Sequence, residues 1–348
     1  MAYTTIDIPS DYFNTITYTG DGSASRNITG VGFQPDWVWG KCRNVSVSHA
    51  IYDSVRGASN LINTNSSSAE GTNPALNAFV SDGFTVNSDS YFNGNSNTYV
   101  AWNWKAGTSF TNDASATGIG TIDSTGSVNT DAGFSIISYT GNATTNAKVA
   151  HGLGVAPSMM IVKKRNGAFN WGIYHKSLTA HKLLAFTTGA PDDDASYWND
   201  VEPTSSVFNL GSGALTNGSG STMIAYCFSE KKGYSKFGSY TGNGNADGTF
   251  VYTGFKPAWV MVKRSNNTQG WYMLDNKRNT FNPEDKYLEA NDSDAEATFT
   301  FCDFLSNGFK ARVDNTGTGF NFSGDTYIYM AFAEEPFVTS TGVPTTAR

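Results

Sequence analysis

The chain has 348 residues, of which 15% are charged, 39% hydrophobic and 14% aromatic, with 36 glycines and a formal net charge of −7. That acidic balance argues against a nucleic-acid binder, which needs a basic surface to displace counterions. The aromatic content argues against disorder, and no apolar run reaches the roughly 20 residues of a membrane-crossing helix. Turn formers interleaved with Val, Ile, Tyr, Phe and Trp predict an all-β fold of short strands and tight turns.

Along the chain, Tyr18-Thr-Gly20 comes first, and it returns as Tyr139-Thr-Gly141 and Tyr240-Thr-Gly242, about 100 residues apart. Next comes Gly32-Phe-Gln-Pro-Asp-Trp-Val-Trp-Gly-Lys-Cys-Arg43, which aligns without a gap to 154–165 and 254–265. Gly-x-x-Pro is a turn feeding a strand, with Pro where its missing N–H does least harm. Lys41, Lys163 and Lys263 then read as strand ends whose ammonium groups snorkel to water. His49-Ala-Ile-Tyr-Asp53 follows, matched by Trp171-Gly-Ile-Tyr-His175 and Trp271-Tyr-Met-Leu-Asp275. Gly83-Phe-Thr-Val86 and Gly308-Phe-Lys-Ala311 read as further strands after turns.

Each unit closes on an alternating strand: Thr98–Trp104, Thr222–Phe228 and Thr326–Phe332. Its bulky face (Val100, Trp102, Trp104 and their counterparts) is expected to be the core of its own unit. The opposite, mixed face is expected to be half covered by a neighbour.

The fold class implied is all-β, three tandem domains of β-sandwich or jelly-roll type arising from an internal repeat. Repeat 1 spans 1–107 and repeat 2 spans 130–232, with repeat 3 at 233–336. Residues 108–129, rich in Ser, Thr, Gly, Asn and Asp, read as a linker. The short second junction, Glu230-Lys-Lys-Gly233, holds repeats 2 and 3 in a nearly fixed relation. The tail 337–348 is expected to fray or to order against a partner.

Chemistry is sparse. His49 gives way to Trp in the other repeats and His175 to Asp, so neither behaves as a general base. Asp192-Asp-Asp194 with Asp200 and Glu202, and Glu284-Asp285 with Glu289, read as solvated loop acids. Cys42, Cys227 and Cys302 are odd in number without CxxC spacing, so reduced thiols made in a cytoplasm are expected, with no zinc site. No secretory signal is visible in Met1–Pro9. No catalytic residue, metal or cofactor is implied. Tyr91, Phe92, Tyr197 and Trp198, outside the repeated framework and flanked by polar residues, are the candidate ligand-binding side chains, as exposed aromatics suited to sugar stacking. Capping of their own sandwich ends or packing against neighbouring repeats is the alternative, and the one the pattern favours.

Pro9–Thr15 leading into Tyr18-Thr-Gly20, Gly32–Trp39, Tyr52-Asp-Ser-Val-Arg-Gly57, Tyr99–Gly107 and the closing run Ala331–Phe337 resemble a repeated domain of tailed bacteriophages, especially those of cyanobacteria and marine bacteria. Repeat 1 matches best; repeat 2 departs at Met159-Met160 and His175. The resemblance implies a lectin-like β-sandwich or jelly-roll fold and a virion structural protein, synthesised in the host cytoplasm and located in the virion; with no catalytic constellation in the chain, no enzyme is expected. A tail or tail-fibre position near host contact is expected. Capsid decoration and a carbohydrate- or receptor-binding module are the alternatives. Expected partners are other virion proteins, further copies of the chain (a trimer, by analogy with phage appendages) and a host surface glycan, without nucleic acid or membrane insertion.

Overall fold

The computed structural model describes residues 2–314 and 319–345. Strands make up 44% of the chain and helix 4%, so the fold is all-β as the composition predicts. The repeated blocks become four strands in each repeat. Opening strands are Phe13–Thr19, Phe134–Thr140 and Ser235–Thr241, and lysine strands are Trp37–Cys42, Met159–Lys164 and Phe255–Arg264. Companion strands are Ala50–Asp53, Gly172–His175 and Trp271–Asp275. Closing strands are Thr98–Trp104, Thr222–Phe228 and Thr326–Pro336. In all three large sheets they lie antiparallel in one order: opening, closing, lysine, companion.

Smaller strands pack on the mixed face of the repeat 1 and repeat 2 sheets. In repeat 1 they are Arg26–Thr29, Gly83–Val86 and Leu76–Val80, and in repeat 2 Ala147–Ala150 and Val207–Leu210. In repeat 3 the sheet itself continues through Glu284–Glu289, Ala297–Leu305 and Gly308–Ala311 to Phe250–Tyr252, curling into a nearly closed, barrel-like sheet. Glu284–Glu289, expected as an acidic loop, is therefore a strand, and Glu284 is buried.

The repeated Tyr-Thr-Gly turn has a physical cause. The Tyr18, Tyr139 and Tyr240 hydroxyls donate to the carbonyls of Phe92, Thr216 and Phe320 at 2.9, 2.6 and 2.7 Å. The next residue along, Asn93, Asn217 or Asn321, is wholly buried and accepts the backbone N–H just past the glycine. At each of these three glycines a Cβ would lie 2.3–2.5 Å from a carbonyl oxygen, so only glycine fits.

The packing of the faces reverses the sequence expectation. The mixed faces of the closing strands (Ala101; Met223, Ala225, Cys227; Tyr327, Tyr329, Ala331) point into three separate clusters, each lying within one repeat. The bulky faces meet one another instead. Trp37, Trp39, Trp102 and Trp104 from repeat 1 join Met159, Ile161, Tyr226 and Phe228 from repeat 2. Trp259, Met261, Met330 and Phe332 from repeat 3 complete a single central core. Residues such as Trp37, with ring centroids 4.4 Å from Trp104 and 4.7 Å from Tyr226, pack within and between repeats alike. The largest apolar side chains thus cluster where three sheets converge, which removes more apolar surface from water than three separate sandwiches would.

The three lysines lie on that same inward face, two residues beyond Trp39, Ile161 and Met261, and they are fully buried rather than snorkelling. Each ammonium donates to a carbonyl of another repeat: Lys41 to Ser293 at 3.1 Å, Lys163 to Ser67 at 3.1 Å and Lys263 to Thr188 at 3.3 Å. Repeat 1 thus reaches repeat 3, repeat 2 reaches repeat 1 and repeat 3 reaches repeat 2, which closes a ring. Burial lowers all three ammonium pKa values to about 8.

Residues 108–129 are not a linker. Thr108–Asn112 and Ser124–Asn129 form two strands added to the opening-strand edge of the repeat 2 sheet, joined through the short helix Ala114–Thr117. Its N-cap, Asp113, accepts from Ser115 and Ala116 backbone N–H groups. Their hydroxyl-rich composition suits an edge that faces water. The tail folds back rather than fraying over its described part: Val338 bridges Pro344, and Asp7 accepts hydrogen bonds from Ser340. Residues 346–348 lie outside the described residues.

Candidate functional site

The four aromatic candidates do not converge. Phe92 is buried in the repeat 1 sandwich, edge-on to Tyr52 and Phe84 and pressed against Gly40, where a Cβ would sit 2.3 Å from its ring. Trp198 is buried in the repeat 2 sandwich, edge-on to Tyr174 at 6.1 Å. Tyr91 and Tyr197 are half-buried against the same two clusters. All four therefore pack against the cluster of their own repeat. Phe92 also has a counterpart, Phe320, as the shared Asn93/Asn321 position reveals.

Of the acidic loop 192–202, Asp193 pairs with Lys182 at 2.7 Å and Asp194 caps the short helix Ala195–Trp198. Glu202 takes the Tyr174 hydroxyl and the Ala180 N–H. His49 accepts the Trp39 indole N–H on Nδ1, which places its own proton on Nε2, donating to the Glu289 carbonyl of repeat 3 at 2.9 Å. Trp171 and Trp271, in the equivalent place, donate to the Asn63 and Ala185 carbonyls at 3.0 and 2.8 Å. His and Trp interchange here because each supplies one ring N–H to another repeat.

Two buried charge chains complete the ring. Asp53 accepts from Arg56, from the turn N–H groups of Val55 and Arg56, and from the Tyr226 hydroxyl of repeat 2 at 2.6 Å. Arg56 continues to Glu70 at 3.0 Å, and Glu70 to Arg165 of repeat 2 at 2.8 Å. Asp275, Arg278, Glu296 and Arg43 repeat the pattern between repeats 3 and 1, with the Trp102 indole at 3.0 Å in the place of the tyrosine hydroxyl. Between repeats 2 and 3 the charges give way to His175, donating from Nε2 to the Tyr329 carbonyl at 3.2 Å, and to the apolar Leu178. Such carboxylate–arginine clusters resemble catalytic ones in composition, but here their polar atoms are engaged in holding repeats together.

Burial holds His151 and His175 at about pKa 4 and His49 well below its ordinary value, so all three are neutral in the folded chain. Unfolding restores pKa values near 6.5, so the unfolded chain binds more protons once the pH falls below that value. The urea midpoint is therefore expected to fall as pH drops from 6.5 toward 4, and less steeply for His151→Gln and His175→Gln. A midpoint flat across that range would contradict the assignment.

One open site lies where the added strands meet repeat 1. A groove of about 540 Å³ is lined by Tyr12, Lys105, Phe110, Asn129, Asp131 and Gly152, among others. Phe110 lies over Gly152, whose φ of +73° and lack of a Cβ (which would sit 2.9 Å from the ring) let the aromatic settle on backbone. Tyr12 meets Tyr234 edge-on, and the Lys105 ammonium lies 5.9 Å from the Tyr12 ring centroid. Among the described residues no ion pair or hydrogen bond engages the Asp131 carboxylate, and no ion pair engages Lys105. Sequence reading missed this groove because it treated Phe110 as part of a structureless spacer.

These features define an all-β protein whose three sheets share one aromatic core and whose interior polar groups tie the sheets into a ring. The chain belongs to the family described as a domain of unknown function (DUF7483), which matches residues 8–336 and so spans all three repeats. No curated protein and no solved structure matches it.

Proposed function

We propose that the protein is a structural component of a tailed-bacteriophage virion, in the tail or tail fibre near host contact, acting by assembly rather than catalysis. In this reading its three repeats are tandem β-sandwich domains of jelly-roll or lectin-like type. The reading is carried by the ring of ties between repeats, in which buried lysines, histidines and carboxylates bond to another repeat's backbone or side chains. The result is a block with many faces fixed relative to one another, which multiplies weak contacts to neighbours. Its sequence resemblance to phage repeats adds weight.

Other virion proteins and further copies of the chain, as a trimer, are the proposed partners, after synthesis in the host cytoplasm. Mass spectrometry of purified particles, with antibody labelling under the electron microscope, tests this. Label on the tail is the expected result; label on the capsid would favour decoration there, and absence of the protein from particles would refute both. The groove beside the added strands favours a second reading, a carbohydrate- or receptor-binding module.

A further inference from the structure

The added strands Thr108–Asn112 and Ser124–Asn129 are not required by the sheet plan. Among the described residues, repeats 1 and 3 leave their opening strands at the sheet edge, and only repeat 2 extends beyond it. The two-strand extension builds one wall of the groove, and the start of repeat 1 supplies Tyr12 from another direction.

Two half-buried aromatic rings, Tyr12 and Phe110, thus share a depression with a carboxylate at Asp131, an ammonium at Lys105, an amide at Asn129 and hydroxyls at Thr108, Ser109 and Thr130. Asp131 lies near enough to Tyr12 to help burial raise the phenol's pKa. A carbohydrate ring has the complementary chemistry. One face presents C–H groups that pack on an aromatic ring, and its equatorial hydroxyls each donate and accept. A carboxylate can accept from two adjacent hydroxyls while amide and ammonium groups donate to their oxygens, and such charge-assisted bonds are the stronger kind.

We propose that this groove is a carbohydrate subsite, with Phe110 and Tyr12 as packing surfaces and Asp131 as the hydroxyl acceptor. The proposal rests on the receptor-binding reading but not on a position in the virion, so particle composition and sugar binding fail independently. Its volume suits one or two sugar units of a longer chain.

The test uses the full chain on an array of bacterial surface polysaccharide fragments, followed by calorimetric titration of the fragment that binds best. Asp131 is exposed, so Asp131→Ala keeps the fold and is expected to weaken binding about tenfold or more, the equivalent of one charged hydrogen bond. Phe110→Ala is expected to do the same, with its melting temperature recorded alongside. Phe281→Ser, at an exposed phenylalanine outside the groove lining, is expected to leave binding unchanged. Failure of every fragment to bind, or a bound fragment whose affinity Asp131→Ala leaves intact, would overturn the proposal.

Discussion

Replacing Asp53 with alanine is expected to destabilise the protein by about 3–5 kcal/mol, the range for removing one partner of a buried ion pair. Asp53 and the Arg56 guanidinium it holds are both fully buried. The same carboxylate caps its own turn through two N–H groups and takes the Tyr226 hydroxyl from the neighbouring repeat. Alanine leaves an arginine in the interior with Glu70 as its remaining carboxylate. Asp53→Asn, which keeps the turn acceptor, is expected to lose less, and Tyr226→Phe about 1 kcal/mol, the contribution of one hydrogen bond. Urea unfolding of the three variants checks the order. Equal and small losses would show that the charge chain does not join repeats 1 and 2 energetically.

Trp104→Ala is expected to cost about 3–5 kcal/mol, as for a large aromatic removed from a packed core. The Trp104 ring contacts Phe13 and Trp37 of repeat 1, Phe228 of repeat 2 and Trp259 and Phe332 of repeat 3, with centroids 4.4–6.5 Å away. The cavity therefore opens among all three sheets at once. Near-ultraviolet circular dichroism and intrinsic fluorescence should lose their native signals at one lowered midpoint. Loss confined to one third of the signal, with the remainder melting where it does in the parent, would place Trp104 in a core of its own repeat.

The repeat, the all-β class and the two faces of the closing strand are legible in the sequence, because alternation and block order are local properties. Which neighbour each face meets is not local. Alternation separates Trp102 from Ala101 but does not say that tryptophans face other repeats while alanine faces its own sandwich. The lysines carried an unread signal: Lys41 shares the parity of Trp37 and Trp39, so it had to point where they point.

The sequence leaves Phe92 and Trp198 open to both an exposed and a packed reading, because alternation lapses in turns, where polar neighbours also surround a buried aromatic; both are buried. A better signal was present. Asn93, Asn217 and Asn321 each stand five residues before the closing-strand threonine, which puts Phe92 in register with Phe320. The added strands stayed hidden because an edge facing water can consist of Ser and Thr, a composition shared with spacers.

A single shared core is most directly tested by differential scanning calorimetry of the intact chain. One heat-absorption peak whose calorimetric enthalpy equals the van't Hoff enthalpy is the predicted outcome, since no sheet can leave without uncovering the others' tryptophans. Three resolved peaks, or one broad peak with a calorimetric enthalpy about three times the van't Hoff value, would mean three independently folded units and would contradict it.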